Sequence, residues 1–171
     1  MLDVDVNRES TGFSVLNPAF AERVVTSFAR QAFMAFIGAR MVSIEPGGCD
    51  IELPYRPELG QQHGFFHGGV VGTLADNACG YASFTLAPAD TSILTVEYKL
   101  NLMAPAAGSV LVARGRVIRP GRTLVVARAD VSVRRDDGIE KPVATALATL
   151  MLMAGMADEP SAETRKGGGT S

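Results

Sequence analysis

The run Gln61-Gln-His-Gly-Phe-Phe-His-Gly-Gly-Val-Val-Gly-Thr-Leu-Ala-Asp76 constrains this chain more than any other segment. It is a polar, Gly-containing loop that turns into an apolar helix with one carboxylate inside it. Gly68, Gly69 and Gly72 are poor helix formers, so local propensity does not explain three of them at the start of a helix. Close approach of another group to the backbone does. A helix N-terminus offers unpaired N–H donors and a positive dipole end, which suit an oxyanion or a polarised carbonyl. Asp76 lies about 12 Å farther along the axis than Gly68, eight residues at a rise of about 1.5 Å. One carbonyl group cannot touch both points of a single helix. Two antiparallel copies can bring the Gly68 end of one beside Asp76 of the other, which predicts a site shared across a dimer.

The rest of the chain supplies material for one α+β domain. Its 171 residues, 47% hydrophobic and 20% charged, suffice for a respectable core. A formal net charge of −2 argues against nucleic acid as the main partner. Cys49 and Cys79 are too few for a disulfide framework and lack metal-ligand spacing, so a reduced, cytoplasmic setting and no metal site are expected. The polar, acidic start does not read as a signal peptide, and no stretch is apolar enough to span a bilayer. Residues 1–16 read as a flexible arm, 17–154 as the domain, and 155–171, polar and Gly-rich, as a disordered tail.

Within the domain, Asn17-Pro18 reads as an N-cap and first helical position. Phe20, Val24, Val25, Phe28, Ala32, Phe33 and Phe36 then recur at helical spacing, predicting one amphipathic helix to about residue 37 with its phenylalanines in the core. Strands are expected at 39–44 and 49–53, around the Glu45-Pro-Gly-Gly turn. The central helix is placed at 69–83. Four strands follow at 92–103, 110–117, 123–134 and 142–153. In the third, Val125, Ala127, Ala129, Val131 and Val133 alternate with Arg128, Asp130, Ser132 and Arg134, one buried face against one solvated. Hairpin turns imply an antiparallel sheet with helices on one face.

HGFFHGG followed by VVGTLADNACGYAS resembles the signature of hotdog-fold acyl-CoA thioesterases, especially the phenylacetate-pathway group of the 4-hydroxybenzoyl-CoA thioesterase-like superfamily. TVEYKLNLMAPA and GRVIRPGRTLVVARADV are similar to that family's later strands, so the likeness covers roughly residues 35–153. It implies a hotdog fold, an antiparallel sheet wrapped around a long central helix. It also implies hydrolysis of an acyl-CoA to a carboxylic acid and free coenzyme A, with no separate cofactor, in a homotetramer built from site-sharing dimers.

Asp76 matches the catalytic carboxylate, as nucleophile or general base, although the same residue on a solvated face would be an ordinary surface carboxylate. Gly68 matches the backbone donor to the thioester carbonyl, and Gly69 and Phe66 lie beside it. Gln61 falls where relatives carry an Asn or Gln amide. Thr95 falls where they place a hydroxyl that orients water. His67 joins the site, and in the matched motif its task is to bond backbone near the helix start. Arg119 and Arg122, around the Pro120-Gly121 turn, are candidates for coenzyme phosphates. Cys79, one turn after Asp76, reads as a packed thiol before a nucleophile. Two other functions remain open on these residues. A hydroxyacyl-thioester dehydratase would use His63 with Asp76, and a non-catalytic acyl-CoA-binding protein would use neither. The acyl group and the mode of dimer–dimer packing are not legible.

Overall fold

The computed structural model describes residues 4–7, 12–156 and 158. Most of the tail expected to be disordered, residue 157 and residues 159–171, lies outside the described residues, as do 1–3 and 8–11. Strand β1 (Asp5–Val6) comes first, then helices α1 (Phe20–Ala29) and α2 (Ala32–Ile37). Strands β2 (Arg40–Glu45) and β3 (Gly48–Pro54) precede the long helix α3 (Gly68–Phe84). The chain ends in β4 (Thr91–Leu102), β5 (Val110–Pro120), β6 (Leu124–Arg134) and β7 (Glu140–Ala154).

All seven strands form one sheet in the order β1-β2-β3-β5-β6-β7-β4, antiparallel except for the parallel pair β1–β2. This is the hotdog arrangement of an antiparallel sheet around a central helix. Helix α3 packs on β3, β5, β6, β7 and β4. Val71, Leu74, Ala75, Ala78 and Ala82 are buried beneath it against inward-facing Val125, Ala127, Ala129 and Val131 of β6. Its small residues let backbone approach backbone. A Cβ on Gly115 of β5 would stand 2.1 Å from the Ala78 carbonyl oxygen, so only glycine fits under the helix there.

Two expectations need correction. The single helix to residue 37 is two helices. Gln31 is extended (φ −75°, ψ 96°), and α2 closes on Gly38 at φ 83°, a left-handed cap that glycine adopts without strain. The break rotates the second half of the apolar stripe out of register. Met34 and Ile37 are buried, while Phe33 and Phe36 are 57% and 75% exposed instead of core. The first helix also starts two residues late, although the Asn17 side chain still accepts from the Ala19 N–H at 3.1 Å.

Arg23 ties α1 to the far end of α3. Its guanidinium donates to the carbonyls of Phe84, Ala87 and Pro88 and lies 4.1 Å over the Phe84 ring. A cation at a helix C-terminus satisfies both orphan carbonyls and the dipole.

Candidate active site

The start of α3 leaves four backbone N–H groups without helical partners. His67, the N-cap, donates its own N–H to the Leu59 carbonyl at 2.9 Å and accepts two of the others. Its Nδ1 accepts from the Gly69 N–H at 3.0 Å, and its carbonyl accepts from Val70 as well as taking the first regular helical bond from Val71. Among the described residues the Gly68 N–H has no acceptor. Gly68 lines a cavity of about 280 Å³ together with Gln61, Phe66 and Leu102. The Gln61 Oε1 accepts from the His63 N–H at 2.5 Å, which leaves the side-chain Nε2 as the donor into that space. Phe66 is itself buried, edge-on to Tyr55 with ring centroids 5.1 Å apart. Gly69, expected beside the substrate, has its N–H engaged by His67. The histidine acts on backbone, with Nδ1 the acceptor of its bond from Gly69.

Asp76 lies two turns on, in a different cavity of about 120 Å³. Its Oδ1 accepts from Thr95 Oγ1 at 2.8 Å. Burial pushes its carboxyl above the usual range, against a downward pull from the Thr95 bond. Tyr81 and Ser27 share the cavity wall, their hydroxyls 3.2 Å apart. Burial pushes the Tyr81 phenol up to about 12, with the Ser27 bond acting the other way.

A β-bulge aims Thr95 at Asp76. The β4–β7 register shifts between Thr95 and Glu97, leaving Val96 as the extra residue. Before it, Ile93 and Thr95 pair with Leu152 and Leu150; after it, Tyr98, Leu100 and Leu102 pair with Ala148, Ala146 and Ala144. Odd positions face the helix on one side of Val96 and even positions on the other. As a result β4 runs antiparallel to α3, with Thr95 at Asp76, Tyr98 at Gly72 and Leu102 at Gly68. No pattern of simple alternation in the sequence reveals that switch.

The remaining expected residues lie elsewhere. Arg119 and Arg122 are exposed and have no carboxylate partner among the described residues. Arg122 borders a separate cavity with Phe13, Leu86 and Val125. Neither arginine lines the Gln61–Gly68 or Asp76 cavity of its own chain. His63 is exposed and lines neither cavity. Cys79 is buried and its thiol is pushed up to about 12 by burial, the state of an inert packed side chain. Among the described residues no cluster of His, Cys, Asp or Glu could hold a metal, and no helix is long and apolar enough to cross a membrane.

The sequence matches the family described as the thioesterase superfamily over residues 63–140. It is 47% identical to a thioesterase family protein of known structure from Silicibacter pomeroyi, covering 80% of this chain and 99% of that one, with a TM-score of 0.78. A putative esterase of Saccharolobus solfataricus is 30% identical over 91 residues, which are 53% of this chain and 64% of the relative's length. The Escherichia coli PaaI protein from the phenylacetic acid degradation operon shares the fold at TM-score 0.72 and 18% identity, covering 82% of this chain and 98% of that one.

Proposed function

Because the chain belongs to the thioesterase superfamily and is a thioester hydrolase, we propose that it cleaves an acyl-CoA at a site assembled from two protomers. The carrying observation is the separation of the machinery. The free Gly68 N–H and Asp76 line different cavities at points about 12 Å apart on one helix.

Helix α3 meets its counterpart antiparallel, so that the Gly68 end of one protomer faces Asp76 of the other. Gly68 N–H and Gln61 Nε2 donate to the thioester oxygen, where negative charge develops. The opposing Asp76, held by Thr95, attacks the carbonyl or takes a proton from the attacking water. On the water route the tetrahedral adduct expels the coenzyme thiolate, which gains the proton taken from water, and the acid leaves. On the direct route thiolate loss leaves an acyl–Asp76 anhydride, which water then hydrolyses to the acid and the free carboxylate, a water proton going to the thiolate. No cofactor enters this reaction. Arg119 and Arg122 supply cations for the coenzyme phosphates. Their neighbours are spoken for: Arg114 and Arg116 pair with Glu140 and Asp50, and Arg134 with Glu52.

The edge strand supports assembly. β4 is twelve residues long, lies at the end of the sheet and exposes Leu94, Val96, Tyr98 and Leu102. An open apolar edge of that length invites a second strand, and a copy of β4 across a two-fold axis supplies one. Pairs of such dimers make the tetramer, in the reducing cytoplasm that two buried free thiols suit.

A panel of acyl-CoAs with a thiol-reactive dye tests the reaction. Release of coenzyme A thiol is the expected result. A dehydratase would form an enoyl product without thiol, and a binding protein would form nothing.

A further inference from the structure

The cavity beside Asp76 holds features that catalysis does not use. Its walls join α1 to α3 and the sheet, through Ser27, Tyr81, Phe84, Ile93 and Leu150, with Gly80 on the helix between Asp76 and Phe84. Arg23, one turn before Ser27, locks α1 against the end of α3 and so fixes that wall in place. Ser27 and Tyr81 are 8% and 5% exposed. Two hydroxyls carry two protons, and the one hydrogen bond between them uses only one. Neither side chain has another hydrogen-bond partner among the described residues. One buried O–H is therefore left to donate, and a buried donor without a partner is costly. Tyr81 lies five residues beyond Asp76, about 7.5 Å along the helix axis. The remaining walls are mixed: Phe84, Ile93 and Leu150 are apolar, while Gln31, Asn77 and Asp158 add polar groups.

We propose that this cavity is the acyl subsite, and that the Ser27–Tyr81 hydroxyl pair selects short acyl groups bearing an acceptor oxygen several atoms from the thioester. The idea rests on the thioesterase reading, because it takes Asp76 as the point where the carbonyl sits. The apolar walls hold the methylenes, and the spare O–H takes the distal oxygen. Size points the same way. A cavity of about 120 Å³ is smaller than the roughly 150 Å³ that holds a benzene molecule, so it admits a few carbons and not a long chain.

Two thioesters of matched length isolate the effect: pentanoyl-CoA and 4-oxopentanoyl-CoA, which differ by one ketone oxygen. The wild-type protein should favour the oxo substrate at least about fivefold in kcat/KM, the range that one buried donor commands. Either single variant keeps one hydroxyl, so the decisive protein is Ser27→Ala/Tyr81→Phe. It should turn over pentanoyl-CoA within about threefold of wild type and lose the preference. A third variant covers the case in which the double variant folds poorly. A Cβ on Gly80 would meet nothing within 4 Å, so Gly80→Leu has room to fill the cavity. It should retain acetyl-CoA hydrolysis and lose both five-carbon substrates. Equal rates on both thioesters in the wild type overturn the proposal, as does a preference that survives the double variant or five-carbon activity that survives Gly80→Leu. Those failures leave the thioesterase reading intact. Absence of thiol release from every acyl-CoA sinks both together.

Discussion

Asp76 holds its charge in a place that favours the neutral form. Its folded pKa lies above the unfolded value, so its contribution to stability is fully present at pH below the unfolded pKa. That contribution is lost as pH rises through the folded pKa, and at neutral pH the ionised group destabilises the fold. Asp76→Asn should therefore raise Tm at pH 7, by an amount that shrinks as pH falls into the ordinary carboxylate range. The same change should lower kcat by about a hundredfold or more, since Asn can neither attack nor accept a proton. Activity within about fivefold of wild type would remove Asp76 from the mechanism. Thr95→Val deletes the bond that pulls this pKa down. The acid limb of the kcat/KM profile should then move to higher pH, and an unmoved limb would show that Thr95 does not set the ionisation. The loop-to-helix pattern singles out Asp76 and the glycines at the helix start, and the family resemblance alone points to Thr95. Neither shows Ser27, an ordinary small polar residue whose meaning comes only from meeting Tyr81, 54 positions away.

At the level of elements, the bulge at Val96 lets one strand serve both the carboxylate and the helix start. Deleting Val96 would remove the extra residue and restore plain alternation, leaving Tyr98, Leu100 and Leu102 on the α3 side while removing the local bend beside Thr95. The expected outcome is a folded protein whose Thr95–Asp76 bond is misaimed, with kcat lowered about tenfold or more. A Val96 deletion with wild-type activity would mean that the bulge does not aim Thr95. Strand and helix positions read well from periodicity, as the alternation of Val125 to Val133 illustrates. The break at Gln31 does not, because no proline or glycine marks it; the extended backbone there follows from how Met34 and Ile37 must pack. Strand order is equally hidden. β4 follows α3 in sequence yet pairs with β7 at the far edge, a long-range choice that no local signal encodes.

For the whole molecule, a shared site makes inactive chains complementary. Asp76→Asn lacks the carboxylate. Gly68→Pro lacks the backbone donor, at a first helical position that suits proline and where an added Cβ meets only the Leu102 side chain at 3.0 Å. Mixing and refolding the two should recover part of the activity, because each hybrid dimer holds one intact pairing. Verified hybrids without recovery, or a fully active monomer, would refute the shared site. Removing Arg119 or Arg122 should raise KM for full acyl-CoA with kcat little changed, and should not affect a truncated pantetheine thioester that lacks the phosphates. Equal effects on both substrates would contradict the phosphate role.

The contact of Gly115 with the Ala78 carbonyl has a consequence for how such an enzyme can diversify. It sets the height of α3 above the sheet by main-chain atoms alone, two residues from Asp76. Exchanging a side chain in α1 reshapes the acyl wall without lifting that main-chain stop. Substrate preference and reaction chemistry thus sit on separable parts, one able to drift by single substitutions while the other stays clamped.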